Sequence, residues 1–252
     1  MATLHLLGTG AAVSEPHRTT TMLAVENGAS LVVIDCGGDA WQRLLAANIN
    51  PATFSALILT HEHPDHVSGF PLFMEKLWLL GRRDPVPVYG IAPALAQAKR
   101  IHDAFDTAAW REEGYPDIAW LEVAHQENAL VLADDHWDIT ASPGVHGVPV
   151  VGLRIVDKQG EGVVTYSCDT EAANSIERLA TGADILIHEA TGAYPGHADA
   201  VAAAQVARRA NAKRLLLVHL PPAEQLDKVE MQQAAKTFSQ TEKGEEGGRY
   251  SF

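Results

Sequence analysis

Residues 56–66 read Ala-Leu-Ile-Leu-Thr-His-Glu-His-Pro-Asp-His, an apolar run that leads directly into three histidines and an aspartate. The apolar part has the length of a buried β-strand, and the segment around residues 70–80 has the pattern of a helix. Imidazole nitrogen and carboxylate oxygen are common ligands of zinc and similar divalent ions. We therefore predict a metal site at the end of this strand, with the ligands His61, His63, Asp65 and His66.

Three further side chains are predicted to reach the same place from distant parts of the chain. His146 lies in a turn between two predicted strands, whereas Asp169 and His219 each follow an apolar run of strand length. A lone histidine at a strand end is more often structural, but ligands in sheet proteins gather where the carboxyl ends of strands meet. The shared placement therefore favours one common site. Most other histidines lack this context, and His102, on a predicted helix, is expected to be solvated.

Strand-length apolar runs alternate with helical segments along most of the chain, beginning with strands at Leu4–Leu7, Met22–Val25 and Ser30–Asp35. This alternation predicts an α/β or mixed α+β domain whose sheets are covered on their faces. Residues 1–240 are expected to form a single domain. The charged, glycine-rich segment from Thr241 to Phe252 is expected to be a flexible tail.

Composition excludes several classes of protein. The chain has 252 residues and a formal net charge of −13, with its lysines and arginines scattered, which gives no long-range attraction to nucleic acid. Its apolar stretches are far shorter than the roughly 18 residues that cross a bilayer, so no membrane association is expected. The two cysteines and an N-terminus unlike a secretory signal favour a cytoplasmic location.

The motifs, taken in order, resemble the metallo-β-lactamase superfamily, and the ribonuclease Z branch within it. The residues that carry the resemblance are Leu7–Gly10, Asp35–Gly37, His61–His66, Ser68–Leu72, Ser167–Thr170, His188–Thr191, His197 and His219. The resemblance implies a four-layer αββα sandwich, with two sheets face to face and helices outside. It also implies two metal ions, one held by His61, His63 and His146, the other by Asp65, His66 and His219, with Asp169 between them.

The same resemblance implies a mechanism in which water activated by both ions attacks phosphorus. Asp65 would orient that water or accept its proton, and His197 would donate to a phosphoryl oxygen or leaving group while Glu189 fixes its tautomer. Two alternatives stay open, a structural role for Glu189 and a surface position for His197. Zinc is the expected metal, with manganese and iron as alternatives, because histidine and aspartate accept all three.

One departure bears on the substrate. Members of this branch that process transfer RNA carry a long RNA-gripping arm between the segments that match His146 and Asp169, and here that interval is only Gly147–Cys168. The expected substrate is therefore a small phosphodiester or an RNA, with RNA 3′-end processing left open. A lactone or thioester hydrolase and a non-catalytic metal-binding regulator are the alternatives. The apolar helix Met74–Leu80 has two interpretations, a face buried within the chain or the contact of a homodimer.

Overall fold

The computed structural model describes residues 1–13, 15–225 and 228–252, and these contain fourteen strands in two sheets of seven. The strands, in chain order, are β1 (Thr3–Gly8), β2 (Met22–Glu26), β3 (Leu31–Ile34), β4 (Phe54–Leu59), β5 (Val86–Gly90), β6 (Ile118–Glu122), β7 (Ala129–Ala133), β8 (Trp137–Pro143), β9 (Val151–Asp157), β10 (Val163–Tyr166), β11 (Ile185–Glu189), β12 (Leu215–Val218), β13 (Thr241–Lys243) and β14 (Arg249–Ser251). The helices are α1 (Ala40–Ala46), α2 (Pro64–Val67), α3 (Phe70–Leu79), α4 (Ala92–His102), α5 (Ala108–Glu112), α6 (Asn174–Leu179), α7 (Ala200–Arg209) and α8 (Lys228–Thr237).

Both sheets are mixed. The first has the order β14-β1-β2-β3-β4-β5-β6 and is parallel from β3 to β6, and the second has the order β13-β12-β11-β10-β9-β8-β7 and is parallel from β13 to β10. Parallel neighbours end at the same edge of a sheet. The carboxyl ends of β3 and β4 in one sheet and of β10, β11 and β12 in the other therefore bring their following loops together.

The two faces of each sheet pack against different layers. Ile185 and Ile187 of β11 belong to the main core, which contains residues from both sheets, whereas Leu186 belongs to a second cluster with the alanines of α7. Helices α1 and α4 contact the first sheet, and α6, α7 and α8 contact the second. The predicted αββα sandwich is confirmed. Sheets buried on both faces also explain why their strands are continuous apolar runs.

The C-terminal segment differs from the expected flexible tail. β13 pairs in parallel with β12, β14 pairs antiparallel with β1, and Tyr250 is buried. These short strands cover the edges that β1 and β12 would otherwise expose to solvent, and pairing a strand edge satisfies its backbone groups. Strands of three residues carry too little apolar periodicity to be recognised against a charged, glycine-rich composition.

Helix α3 packs inward through Met74, Leu77 and Trp78, which are buried within the chain, whereas Leu79 and the following Leu80 are exposed. This supports a buried face for most of the apolar segment. In the described part of the chain, no helix is both long and apolar enough to span a bilayer.

Candidate metal centre

The segment that follows β4 carries three of the histidines. His61 follows the strand and is fully buried, and His63 is the extended residue that precedes α2. Proline fits the first position of a helix and holds the preceding residue extended, so Pro64 sets the turn at which α2 begins. Asp65 and His66 lie on this short helix, so the motif projects side chains from both the extended segment and the helix.

The other predicted residues arrive from the second sheet. Asp169 follows β10, His219 follows β12, and His146 lies in the turn between β8 and β9. All seven side chains meet in two sets whose ligand atoms lie within 4.8 Å of one another. We call them the His146 group, comprising His61, His63, His146 and Asp169, and the His219 group, comprising Asp65, His66, Asp169 and His219.

Asp169 is common to both groups. Its Oδ2 lies 3.2 Å from His219 Nε2 and 3.9 Å from His61 Nε2, and its Oδ1 lies 3.6 Å from His66 Nε2. Nε2 of His219 is also 3.3 Å from Asp65 Oδ2. One carboxylate therefore faces imidazoles of both groups.

Hydrogen bonds fix the tautomer of His61. The Thr60 hydroxyl donates to Asp35 Oδ2 over 2.8 Å and lies 3.2 Å from His61 Nδ1, so it accepts from an Nδ1–H and leaves Nε2 with its lone pair. His66 Nδ1 donates to the same Asp35 oxygen over 2.8 Å. Asp35 thus orients His66 directly and His61 through the Thr60 hydroxyl.

The second sheet supports its histidines in the same way. The Thr191 hydroxyl donates to the carbonyl of His219 over 2.7 Å and accepts from His219 Nδ1 over 2.6 Å. His146 Nδ1 donates to the carbonyl of Gly196 over 2.7 Å. These bonds direct Nε2 of each ring toward the shared space.

Three buried atoms without a hydrogen-bond partner in the described part of the chain indicate that a cation can bind at the centre. Within the described residues, His61 Nε2, His66 Nε2 and Asp169 Oδ1 have no hydrogen-bond partner. Leaving buried polar atoms unpaired is costly unless another ligand satisfies them. Imidazole nitrogen and carboxylate oxygen together suit a divalent cation, so the residues fit a metal ion.

The protonation states of His61 and Asp65 agree with this assignment. Burial, together with the nearby His66, lowers the pKa of His61 to about 2, so this imidazole is neutral. Burial opposes ionisation of Asp65, but the hydrogen bond with His219 and the charge of His66 bring its pKa down to about 2. Neutral imidazole and ionised carboxylate are the forms that bind metal.

Backbone strain marks three of the strand ends. Asp35, Cys168 and His219 have φ values of 60°, 53° and 50°, in the left-handed region that non-glycine residues rarely occupy. Such conformations cluster at functional sites, where the surrounding structure holds them. Here each one turns the chain sharply where a strand meets the centre.

A histidine–carboxylate pair lies beside the His219 group. His197 Nδ1 donates to Glu189 at 2.9 Å from Oε1 and 3.1 Å from Oε2, and its ring stacks on that of His219 at 5.8 Å. The hydrogen bond with Glu189 raises the pKa of His197, against the opposing effect of burial. Glu189 itself is fully buried and also accepts from the Thr170 backbone, whereas the side chain of His197 is 22% exposed.

Two supporting residues were not predicted. Asp35 follows an apolar strand, as Asp169 does, and the segment Asp35–Gly37 was identified by resemblance, but without a role for the carboxylate. Thr191 lies in the segment His188–Thr191, which was identified by resemblance without a role for its hydroxyl. His102 was predicted to be solvated but is buried, with Nε2 2.9 Å from the hydroxyl of Tyr115.

Comparison with known proteins places this site in a family. Residues 31–220 match the model of the β-lactamase superfamily domain. The chain is 27% identical over 297 residues to ribonuclease Z of Methanothermobacter thermautotrophicus, covering 96% of this chain and 94% of that protein. It is 31% identical over 266 residues to ribonuclease Z of Myxococcus xanthus, covering 86% of each.

Solved structures show the same fold. Human tRNase Z, short form, superposes with a TM-score of 0.79 at 21% identity, covering 99% of this chain and 98% of that one. The family match and the curated relatives, together with the histidine and aspartate clusters, identify the class of enzyme. The chain belongs to the metallo-β-lactamase superfamily, in its ribonuclease Z-like branch, and is a metal-dependent hydrolase.

Proposed function

We propose that this hydrolase cleaves phosphodiester bonds at a pair of divalent ions, with zinc as the first candidate. One ion would be held by the His146 group and the other by the His219 group. The observation that carries the proposal is the position of Asp169, whose carboxylate faces His61, His66 and His219 at 3.2–3.9 Å. A carboxylate shared in this way would serve both ions, so that both could act on one phosphate.

Divalent ions in these groups would supply Lewis-acid chemistry, lowering the pKa of water and neutralising charge on phosphoryl oxygens. Asp65 is ionised, and its side chain is 12% exposed, so it can orient the attacking water and accept its proton. His197 uses Nδ1 to bind Glu189, which leaves Nε2 to donate to a phosphoryl oxygen or to the leaving group.

The His197–Glu189 pair favours phosphodiesters over lactones and thioesters. A phosphodiester carries a negative charge before and during the reaction, and a second cationic donor beside the ions stabilises that charge. The curated relatives are named ribonuclease Z, which supports the same substrate class. The complete set of ligand side chains argues against a regulator that has lost turnover.

The substrate is proposed to be a small diester or an accessible RNA end rather than a folded precursor transfer RNA. Between His146 and Asp169 the chain forms only β9, β10 and the turns beside them. The two cations of this interval are already engaged, since Arg154 donates to the carbonyls of Leu179 and Thr181 and Lys158 to that of Asp134. The 297-residue alignment to the archaeal relative is longer than this whole chain, which is consistent with extra segments in that protein.

The test combines metal analysis with a panel of substrates. Protein loaded with Zn²⁺ or Mn²⁺ and dialysed should retain about two ions per chain, and His146→Ala and His219→Ala should each retain about one. The exposed His17→Ala is the control and should keep both. The loaded enzyme should hydrolyse bis(p-nitrophenyl) phosphate faster than a lactone. If the wild-type protein retains almost no metal after dialysis, the proposed metal pair is wrong. If the loaded enzyme prefers the lactone, the alternative of a carboxylic-ester hydrolase is correct.

A further inference from the structure

The turn that joins β13 to β14, residues Gly244–Gly248, connects the two sheets beside the metal centre. We call it the C-terminal turn. Gly244 N donates to the carbonyl of Leu217 in β12 over 2.8 Å, and Gly247 N donates to that of Leu6 in β1 over 2.8 Å. The turn is therefore attached to the strand that precedes His219 and to the strand that leads into the β1–β2 loop.

Glu246 is the one side chain of this turn that reaches into the β1–β2 loop through several bonds. Its Oε2 accepts from Thr9 N over 3.0 Å and from Thr9 Oγ1 over 3.1 Å, while its Oε1 accepts from Thr19 N over 3.0 Å and from Arg43 over 2.8 Å. The side chain is 17% exposed. Each carboxylate oxygen accepts two hydrogen bonds, and together they hold the two ends of the loop close to each other.

The loop in turn encloses the backbone at His219. Thr9 O accepts from Leu220 N over 2.9 Å, and Ala11 N donates to Leu220 O over 3.0 Å. On the other side of the histidine, Thr21 Oγ1 accepts from His219 N over 3.1 Å and donates to Gly10 O over 3.0 Å. Both peptide units around His219 thus depend on the loop that Glu246 holds.

This dependence matters because His219 has a φ of 50°. A non-glycine residue keeps a left-handed conformation only where its surroundings hold it. If the loop shifts, the backbone of His219 can relax, and Nε2 would move away from Asp65 and Asp169. The Thr191 hydroxyl orients the ring and binds the carbonyl of His219, but the amides of His219 and Leu220 are held from the β1–β2 side.

We propose that Glu246 is a positioning residue for the His219 group, so that the C-terminal turn sets the affinity of one of the two metal ions. The inference rests on the proposed metal pair. Because the loop contacts Leu220 and His219, the effect falls on the His219 group and leaves the His146 group unchanged.

The test places Glu246→Gln in two backgrounds that each retain one ion. In His146→Ala, where the His219 group remains, Glu246→Gln should weaken Zn²⁺ binding by about 10- to 100-fold, the range seen when residues that orient ligands are lost. In His219→Ala, the same substitution should leave Zn²⁺ affinity unchanged. Glu245→Gln makes the same charge change at an exposed neighbour and should have no effect in either background.

Affinity is measured by competition with a chelator, and the fold by circular dichroism of the metal-free proteins. Thr9→Val deletes one of the four hydrogen bonds to Glu246. It should weaken Zn²⁺ binding in the His146→Ala background by a smaller factor and leave it unchanged in the His219→Ala background. This variant tests the inference if Glu246→Gln does not fold. Equal losses in both backgrounds, or none in either, would overturn the inference. Failure of the wild type to bind two ions would instead overturn the proposed function.

Discussion

His66 donates from Nδ1 to Asp35 over 2.8 Å, and both side chains are buried at the point where β3 and β4 end. Asp35 also accepts from the backbone and hydroxyl of Thr60, whose hydroxyl in turn supports His61. One carboxylate behind the centre therefore orients a histidine of each group.

We expect Asp35→Asn to weaken metal binding by about 10- to 100-fold, because the amide loses the negative charge and presents a donor to groups that are themselves donors. Chelator competition measures the effect, with the exposed Asp138→Asn as the control. Asp35→Asn should lower the metal affinity of both groups, whereas Glu246→Gln should lower that of the His219 group alone. Unchanged affinity in Asp35→Asn would show that these histidines are oriented by the rest of the fold alone.

The second prediction concerns the pH dependence of turnover. The hydrogen bond with Glu189 raises the pKa of His197, so the protonated donor persists to higher pH than an ordinary histidine. In Glu189→Gln this pKa should fall, and the basic limb of the kcat profile should move to lower pH. The rate at the optimum should also fall, because the buried amide no longer stabilises the charged ring.

His197→Ala is the matched comparison for that profile. It should keep both ions and lose about 10²- to 10⁴-fold in kcat, the usual range for a positioned acid, and the limb assigned to His197 should disappear. If the basic limb of the kcat profile lies at the same pH in wild type and in Glu189→Gln, then a group other than His197 causes it.

Local patterns in the sequence predicted the alternation of strands and helices and the cluster of histidines and aspartates, whereas the αββα arrangement of the two sheets was predicted from the resemblance to the superfamily. His61 and His219 each end an apolar run, and strands of this kind are recognisable without tertiary information. The role of Glu246 was not predictable, since its partner Thr9 lies 237 positions away and nothing local distinguishes it from Glu245. His102 was misjudged for the same reason, because Tyr115 from another segment covers it.

His102 gives a prediction for stability. Burial lowers its pKa from the ordinary 6.5, so the folded protein binds a proton at this site less readily than the unfolded chain does. Well above pH 6.5 the ring is neutral in both states. As the pH falls below that value, the unfolded state takes up the proton first, and the free energy of unfolding decreases.

Urea unfolding of wild type and His102→Gln at pH 7.5 and pH 5.5 measures this contribution. The variant should be less stable at the higher pH by about 1 kcal/mol, the value of a typical hydrogen bond. It should then lose less stability than wild type on acidification. Parallel losses in the two proteins would mean that His102 does not contribute to the acid sensitivity.

The last prediction concerns substrate size. A protein that grips a folded RNA neutralises many phosphates and gains the release of counterions, but this chain has a net charge of −13 and uses Arg154 and Lys158 to bind its own carbonyls. A small diester needs only the ions and His197. At near-physiological salt, hydrolysis of a small diester should be clear, and cleavage of precursor transfer RNA should be weak and should fall steeply as salt is added. Efficient, correctly placed cleavage of the precursor at low enzyme concentration would show that another surface supplies the grip.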